Sequence, residues 1–234
     1  MSLTLEALFR FQDDAAAYNT AKSVRVQRLL DFVRGSVALL SHALFSMRFS
    51  EHKQHTLRIL GADAVTGIVA SVRVGLWGNL PEAAALLRSA LETTAIFSAA
   101  VEANQYVSIA SEVSAARLTR HSYKKAVAQL GDLGSRLDYL RGRLSEIGAH
   151  STGTRLKFTS YRLEGQLFDR LGAALDPQSA ELALSMVPDV CLQLLDACEK
   201  AYAQDRTEFP DPARLAQLRA RFADCKEPAD TGAA

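Results

Sequence analysis

Apolar positions recur along most of this chain in steps of three and four, the spacing of a packed helical seam. From about Ser23 to Arg48 the seam runs through Val26, Leu30, Val33, Val37, Leu40, Leu44 and Met47. Leu29, Phe32, Leu39 and Ala43 widen it, so this helix is apolar on more than one side. A second stripe, Leu57, Leu60, Ala64, Ile68, Val72 and Leu76, predicts a helix from about Thr56 to Trp77, with SEHKQH at 50–55 as the linker or first turn before it. Gly61, Gly67 and Gly75 interrupt this stripe. Each costs a helix up to about 1 kcal/mol, a cost that fits positions where a neighbouring helix comes close. Residues 2–20 add a short amphipathic helix.

The next stretch breaks the two-faced pattern. Between Ala83 and Val101 only Arg88 and Glu92 carry charge, and the rest is apolar or a small hydroxyl. A surface helix has a polar face, so residues 79–104 read as a helix enclosed on nearly all sides. Asn79 stands as N-cap, Pro81 lies in the first turn and Glu82 sits near the positive end of the helix dipole. Arg88 and Glu92 are four apart and share a face with Ala85, Ala95 and Ala99. A lone charge there is costly, so the two read as a pair joined by a further polar partner. Two roles are open to them: an ion pair that fixes helix register, or the heart of a polar site.

Tyr106 to Leu130 predicts another helix, basic on its outer part at Arg117, Arg120, His121, Lys124 and Lys125. After Gly131 the stripe Leu133, Leu137, Leu140, Leu144 and Ile147 runs to a stop at Gly148. Residues 150–172 alone do not read as helix. LKFTSY and QLFDRL flank a Glu164-Gly165 turn, which suggests one short hairpin near 156–170. Asp176-Pro177 opens a long apolar helix to about Gln204, kinked at Pro188, and Asp211-Pro212 opens a charged amphipathic one ending near Cys225. The fold class is therefore all-α: a bundle of six or seven helices in a single domain, 1–225, with 226–234 as a disordered tail.

Net charge is +1, but it is unevenly spread: ten basic against three acidic residues in 117–162, seven against thirteen in 163–234. The imbalance fits two segments that attract each other, or a basic face for phosphate or nucleic acid. Cys191, Cys198 and Cys225 form neither CxxC nor a disulfide framework, and read as reduced thiols of a cytoplasmic protein. The N-terminus lacks the basic-then-apolar order of a signal peptide. Arg88 and Glu92 would each cost roughly 2–3 kcal/mol inside a bilayer, so no membrane contact is expected. His52 and His55 stand three apart with no third ligand nearby, so neither metal nor cofactor is expected.

No Gly-rich phosphate loop, GxSxG or HExxH occurs. The chemistry-bearing residues are Arg88, Glu92, His121, Arg143 and His150, which a bundle could bring together. His150 follows a helix end and opens HSTGT, where its ring could either cap that helix or move a proton near neutral pH. LLRSALE on a buried helix, with GAHSTG after a later one, resembles bacterial helical-bundle families of unknown function distantly related to HEPN domains. The resemblance, in pattern over about residues 25–200, implies an all-helical homodimer with RNA or a protein as partner. HEPN proteins include metal-independent RNases with an Arg, four to six residues, then a His, and also inactive binding partners. Arg143 and His150, with LSEIGA between them, match that spacing, which would make His150 the general acid or base and Arg143 the group steadying charge on phosphate. Leu144, however, follows Arg143 where the RNase motif usually has a polar residue, and Arg48 and His55 match the same spacing. The favoured function is accordingly a non-catalytic binding or regulatory module, with a HEPN-like metal-independent RNase of a toxin or defence system as the alternative.

Overall fold

Nine helices and one strand pair make up the computed structural model over its described residues, 5–104, 106, 120–148, 160–163, 166–169 and 174–226. In chain order they are α1 (Leu5–Lys22), α2 (Val24–Ser46), α3 (Glu51–Leu76), α4 (Leu80–Ala103), α5 (Arg120–Gln129), α6 (Asp132–Gly148), β1 (Ser160–Leu163), β2 (Gln166–Asp169), α7 (Pro177–Leu184), α8 (Val187–Gln204) and α9 (Pro212–Lys226). The strands pair antiparallel, Ser160 opposite Asp169 and Leu163 opposite Gln166.

The helix ends follow local chemistry. Ser23 caps α2, its Oγ accepting from the Val26 amide at 3.0 Å. The other end of α2 is closed from the next helix: Arg58 donates to the carbonyls of Leu44, Phe45 and Met47 at 3.0, 2.8 and 3.1 Å. Three backbone acceptors that α2 cannot satisfy itself are thereby met by one guanidinium. Asn79 occupies the N-cap position of α4 but makes no capping hydrogen bond through its side chain. Asp176 caps α7, accepting from the Ser179 amide at 3.3 Å, and Asp211 caps α9 through the Arg214 amide at 2.9 Å.

Helix α4 lies against α3, α5, α6, α7 and α8. From Leu91 to Val101 every residue but Glu92 is buried, while Ala85 and Ser89 leave a strip of its first half open. Leu87 and Leu91 are fully buried in one continuous core with Leu39, Leu57, Leu194 and Phe97. The hydroxyls of this helix turn back on it: Thr94 donates to the Ala90 carbonyl at 2.8 Å and Ser98 to the Thr94 carbonyl at 2.9 Å. Close approach of α3 depends on Gly67, where an added Cβ would meet the Ala90 Cβ at 3.0 Å.

Four sequence expectations change. The number of helices exceeds six or seven, in part because 176–204 is two helices. The chain turns at Ser185 and Met186, and Pro188 then falls in the first turn of α8, where its missing N–H breaks no hydrogen bond. Helix α3 begins at Glu51 and not at about Thr56, so of the two readings of SEHKQH the first turn holds and the linker does not, and the Lys53 side chain within it points inward. Helix α9 is described as far as Lys226, and residues 227–234 lie outside the described residues, as do 107–119.

The fourth change concerns surroundings. Val24–Ser46, Glu51–Leu76 and Leu80–Ala103 are each long and apolar enough to cross a membrane by length and composition. Arg88 and Glu92 lie only in the third of these. The expectations of a cytoplasmic chain and of no membrane contact therefore do not stand. Hydropathy is blind to whether an apolar helix meets another helix or lipid, and the three differ in how far the fold uses them: 72% of the apolar window of α4 is buried, against 33% of that of α3.

Candidate functional site

Arg88 and Glu92 meet on α4, with Nε of Arg88 3.7 Å from Oε1 of Glu92 and the side chains 29% and 25% exposed. The same carboxylate oxygen accepts a shorter bond, 2.6 Å, from Nε of Arg141 on α6, a side chain only 18% exposed. Arg141 in turn lies over the ring of Tyr123 from α5, 5.0 Å from its centroid, in cation–π range. The Tyr123 hydroxyl donates to Oδ1 of Asp138 at 3.3 Å, and Nη1 of Arg88 donates to Oγ of Ser145 at 3.5 Å. Burial raises the Tyr123 pKa, and the Asp138 carboxylate beside it adds to the rise, so the phenol stays protonated and able to donate.

The arrangement is a chain of side chains across α4, α5 and α6: two guanidiniums, two carboxylates, a phenol and a hydroxyl. Its formal charges balance, and Glu92 is shared by both arginines. Arg141 is the member that sequence reading passed over. Its signal is positional: it stands four after Leu137 and three before Leu144, both buried, on the inward side of the α6 stripe.

The remaining sequence candidates divide. Arg143 is exposed on α6, two residues from Arg141 and so on a different face, and Nη1 pairs with Glu146 at 3.0 Å. The backbone of His121 lies in α5. The His121 side chain and all of His150 lie outside the described residues.

A second polar cluster was not anticipated. Lys53 is 4% exposed. Its ammonium donates to Oδ1 of Asp205 at 2.9 Å and to the Ala201 carbonyl at 3.2 Å, between the rings of Phe49 and Tyr106 at 4.6 and 5.2 Å. Tyr106 donates to Oε1 of Gln204 at 3.2 Å, and Gln204 donates to the Val101 carbonyl at 2.8 Å. Burial pushes the Tyr106 phenol up to about 12, with Asp205 contributing. The cluster ties the start of α3 to the end of α8. Lys53 lies four before Leu57 on the apolar stripe, which is the sequence sign of an inward lysine.

Cys191 and Cys198 are buried in α8, and burial raises both thiols, that of Cys191 to about 12. Among the described residues no group of three His, Cys, Asp or Glu side chains is placed to hold a metal. No family model, curated protein or solved structure matches this chain.

Proposed function

We propose that the chain is a helical binding or regulatory module without catalysis of its own, distantly HEPN-like in its fold. The observation that carries this reading is the closure of the α4–α6 network on itself. Glu92 is held between two guanidiniums and Tyr123 is spent on Asp138, so these groups act as ties between helices. A catalytic acid or base must instead reach the proton it moves. The engagement of Arg143 with Glu146 on its own helix, and Leu144 directly after it, favour the same reading over an RNase. The test is chelator-treated protein on labelled single-stranded RNA, wild type beside His150→Ala and Arg143→Ala. All three should leave the RNA intact. Cleavage by the wild type that falls about a hundredfold or more in His150→Ala would make the chain an RNase.

One observation favours a second reading, in which the module works at a bilayer: α2, α3 and α4 are consecutive, and each has the length and composition of a span. On that reading the expressed chain floats with lipid vesicles and resists extraction at alkaline pH. Full recovery in the soluble fraction would exclude it.

A further inference from the structure

A cleft of about 570 Å³ opens between α2 and α9, a volume in the range of small-molecule sites. Asp31 and Arg34 stand on its α2 side, and Arg214, Gln217 and Arg221 on its α9 side. The last three recur in steps of three and four, so they share one helix face, with the two guanidinium-bearing positions about 10 Å apart along the axis. At the floor the helices touch closely, since a Cβ on Gly35 would lie 3.2 Å from Cδ2 of Leu218.

The charges in this cleft are unequally occupied. Asp31 is paired with Arg34 at 3.3 Å, and Asp211, at the mouth, accepts from the Arg214 amide as the cap of α9. Elsewhere on α9 the cations have carboxylates: Arg219 holds Asp196 and Glu199, and Lys226 holds Asp189. Arg214 and Arg221 have no carboxylate within salt-bridge reach among the described residues. They stand so in the acidic part of the chain, where seven basic residues face thirteen acidic ones over 163–234. Of the four cations on α9, the two without a described carboxylate partner both line this cleft.

We infer that this cleft binds an oligophosphate, and the inference deepens the binding-module reading and rests on it. A guanidinium fork matches two phosphate oxygens at once, which a point charge does not. Two forks on one wall and Arg34 opposite suit a chain of phosphoryl groups laid along α9, with Gln217 between the forks to donate a further hydrogen bond. The positive end of the α9 dipole lies beside Arg214 and adds to the attraction. Such a chain could be free polyphosphate or the triphosphate of a nucleotide.

The full-length protein should be titrated calorimetrically with inorganic tripolyphosphate and, separately, with ATP. Wild type should bind tripolyphosphate, more weakly as salt is raised. The double variant Arg214→Gln/Arg221→Gln should lose about tenfold or more in affinity, and Arg219→Gln, on the same helix but already paired, should bind as wild type does. Equal affinities for the two ligands would assign the site to the phosphate chain alone, and a tighter ATP complex would assign it to a nucleotide. Absence of tripolyphosphate binding by folded wild type, or an equal loss in Arg219→Gln, would overturn the inference. Neither result depends on whether the RNA assay detects cleavage.

Discussion

Asp205→Ala should lower stability by about 3 kcal/mol, because it strands the buried ammonium of Lys53. That ammonium has two described acceptors, Asp205 and the Ala201 carbonyl, and two aromatic faces beside it. Deleting the carboxylate leaves a charge with one neutral acceptor at a position 4% exposed. For a chain of this size the loss corresponds to a fall in Tm of roughly 6–12 °C. The converse change is milder. Lys53→Met leaves Asp205 without its cation, but that side chain is 30% exposed and can draw on water, so about 1–2 kcal/mol is expected. The double variant should recover much of the Asp205→Ala loss, since a methionine fills the same slot without a charge. Thermal or urea unfolding of the three variants measures this directly. A double variant as unstable as Asp205→Ala would show that the carboxylate acts as a helix-end group and not as the partner of Lys53.

The second large effect is expected at Gly134→Ala. A Cβ there would sit 2.0 Å from the Val127 carbonyl oxygen and 2.9 Å from its carbon. These are backbone atoms of α5, and no rotamer change relieves the clash, so α6 must move away from α5. Overpacking of a core costs about 1–3 kcal/mol, and an obstruction by backbone belongs at the upper end or beyond. Separation of α5 from α6 would also pull Tyr123 from Asp138 and Arg141. Gly142 supplies the contrast. It lies in the same helix with nothing within 4 Å of an added Cβ, so Gly142→Ala should stabilise by about 0.5–1 kcal/mol through helix propensity alone. Opposite signs for two identical substitutions eight residues apart are the expected result.

What could be read from the chain beforehand was what is local. The enclosure of α4 was legible because a run with only Arg88 and Glu92 charged has no face to offer water. The starts of α7 and α9 were legible because Asp-Pro sets a cap and a first-turn backbone. The gaps are all contributions from elsewhere. SEHKQH reads as a linker or a first turn by its polarity, and the partners that hold Lys53 inward, Asp205 and Tyr106, arrive from distant parts of the chain. Pro188 signals an interruption, but whether a helix bends or restarts there depends on the packing around Met186. Arg141 belongs with Arg88 and Glu92 only once α6 is laid along α4, a placement no spacing within one helix encodes. The apolar runs of α2, α3 and α4 have the same hydropathy against protein as against lipid, so they could not say where the chain resides.

The central claim is that the charged groups of α4 hold helices together instead of turning over a substrate. A double-mutant cycle on Glu92→Ala and Arg141→Ala tests it most directly, by unfolding free energies of wild type, both single variants and the double variant. The account predicts that each single change destabilises and that the two losses overlap, with a coupling of about 1–2 kcal/mol between groups 2.6 Å apart. Losses that add to within about 0.3 kcal/mol would contradict it, because the pair would then contribute nothing to the joining of α4 and α6.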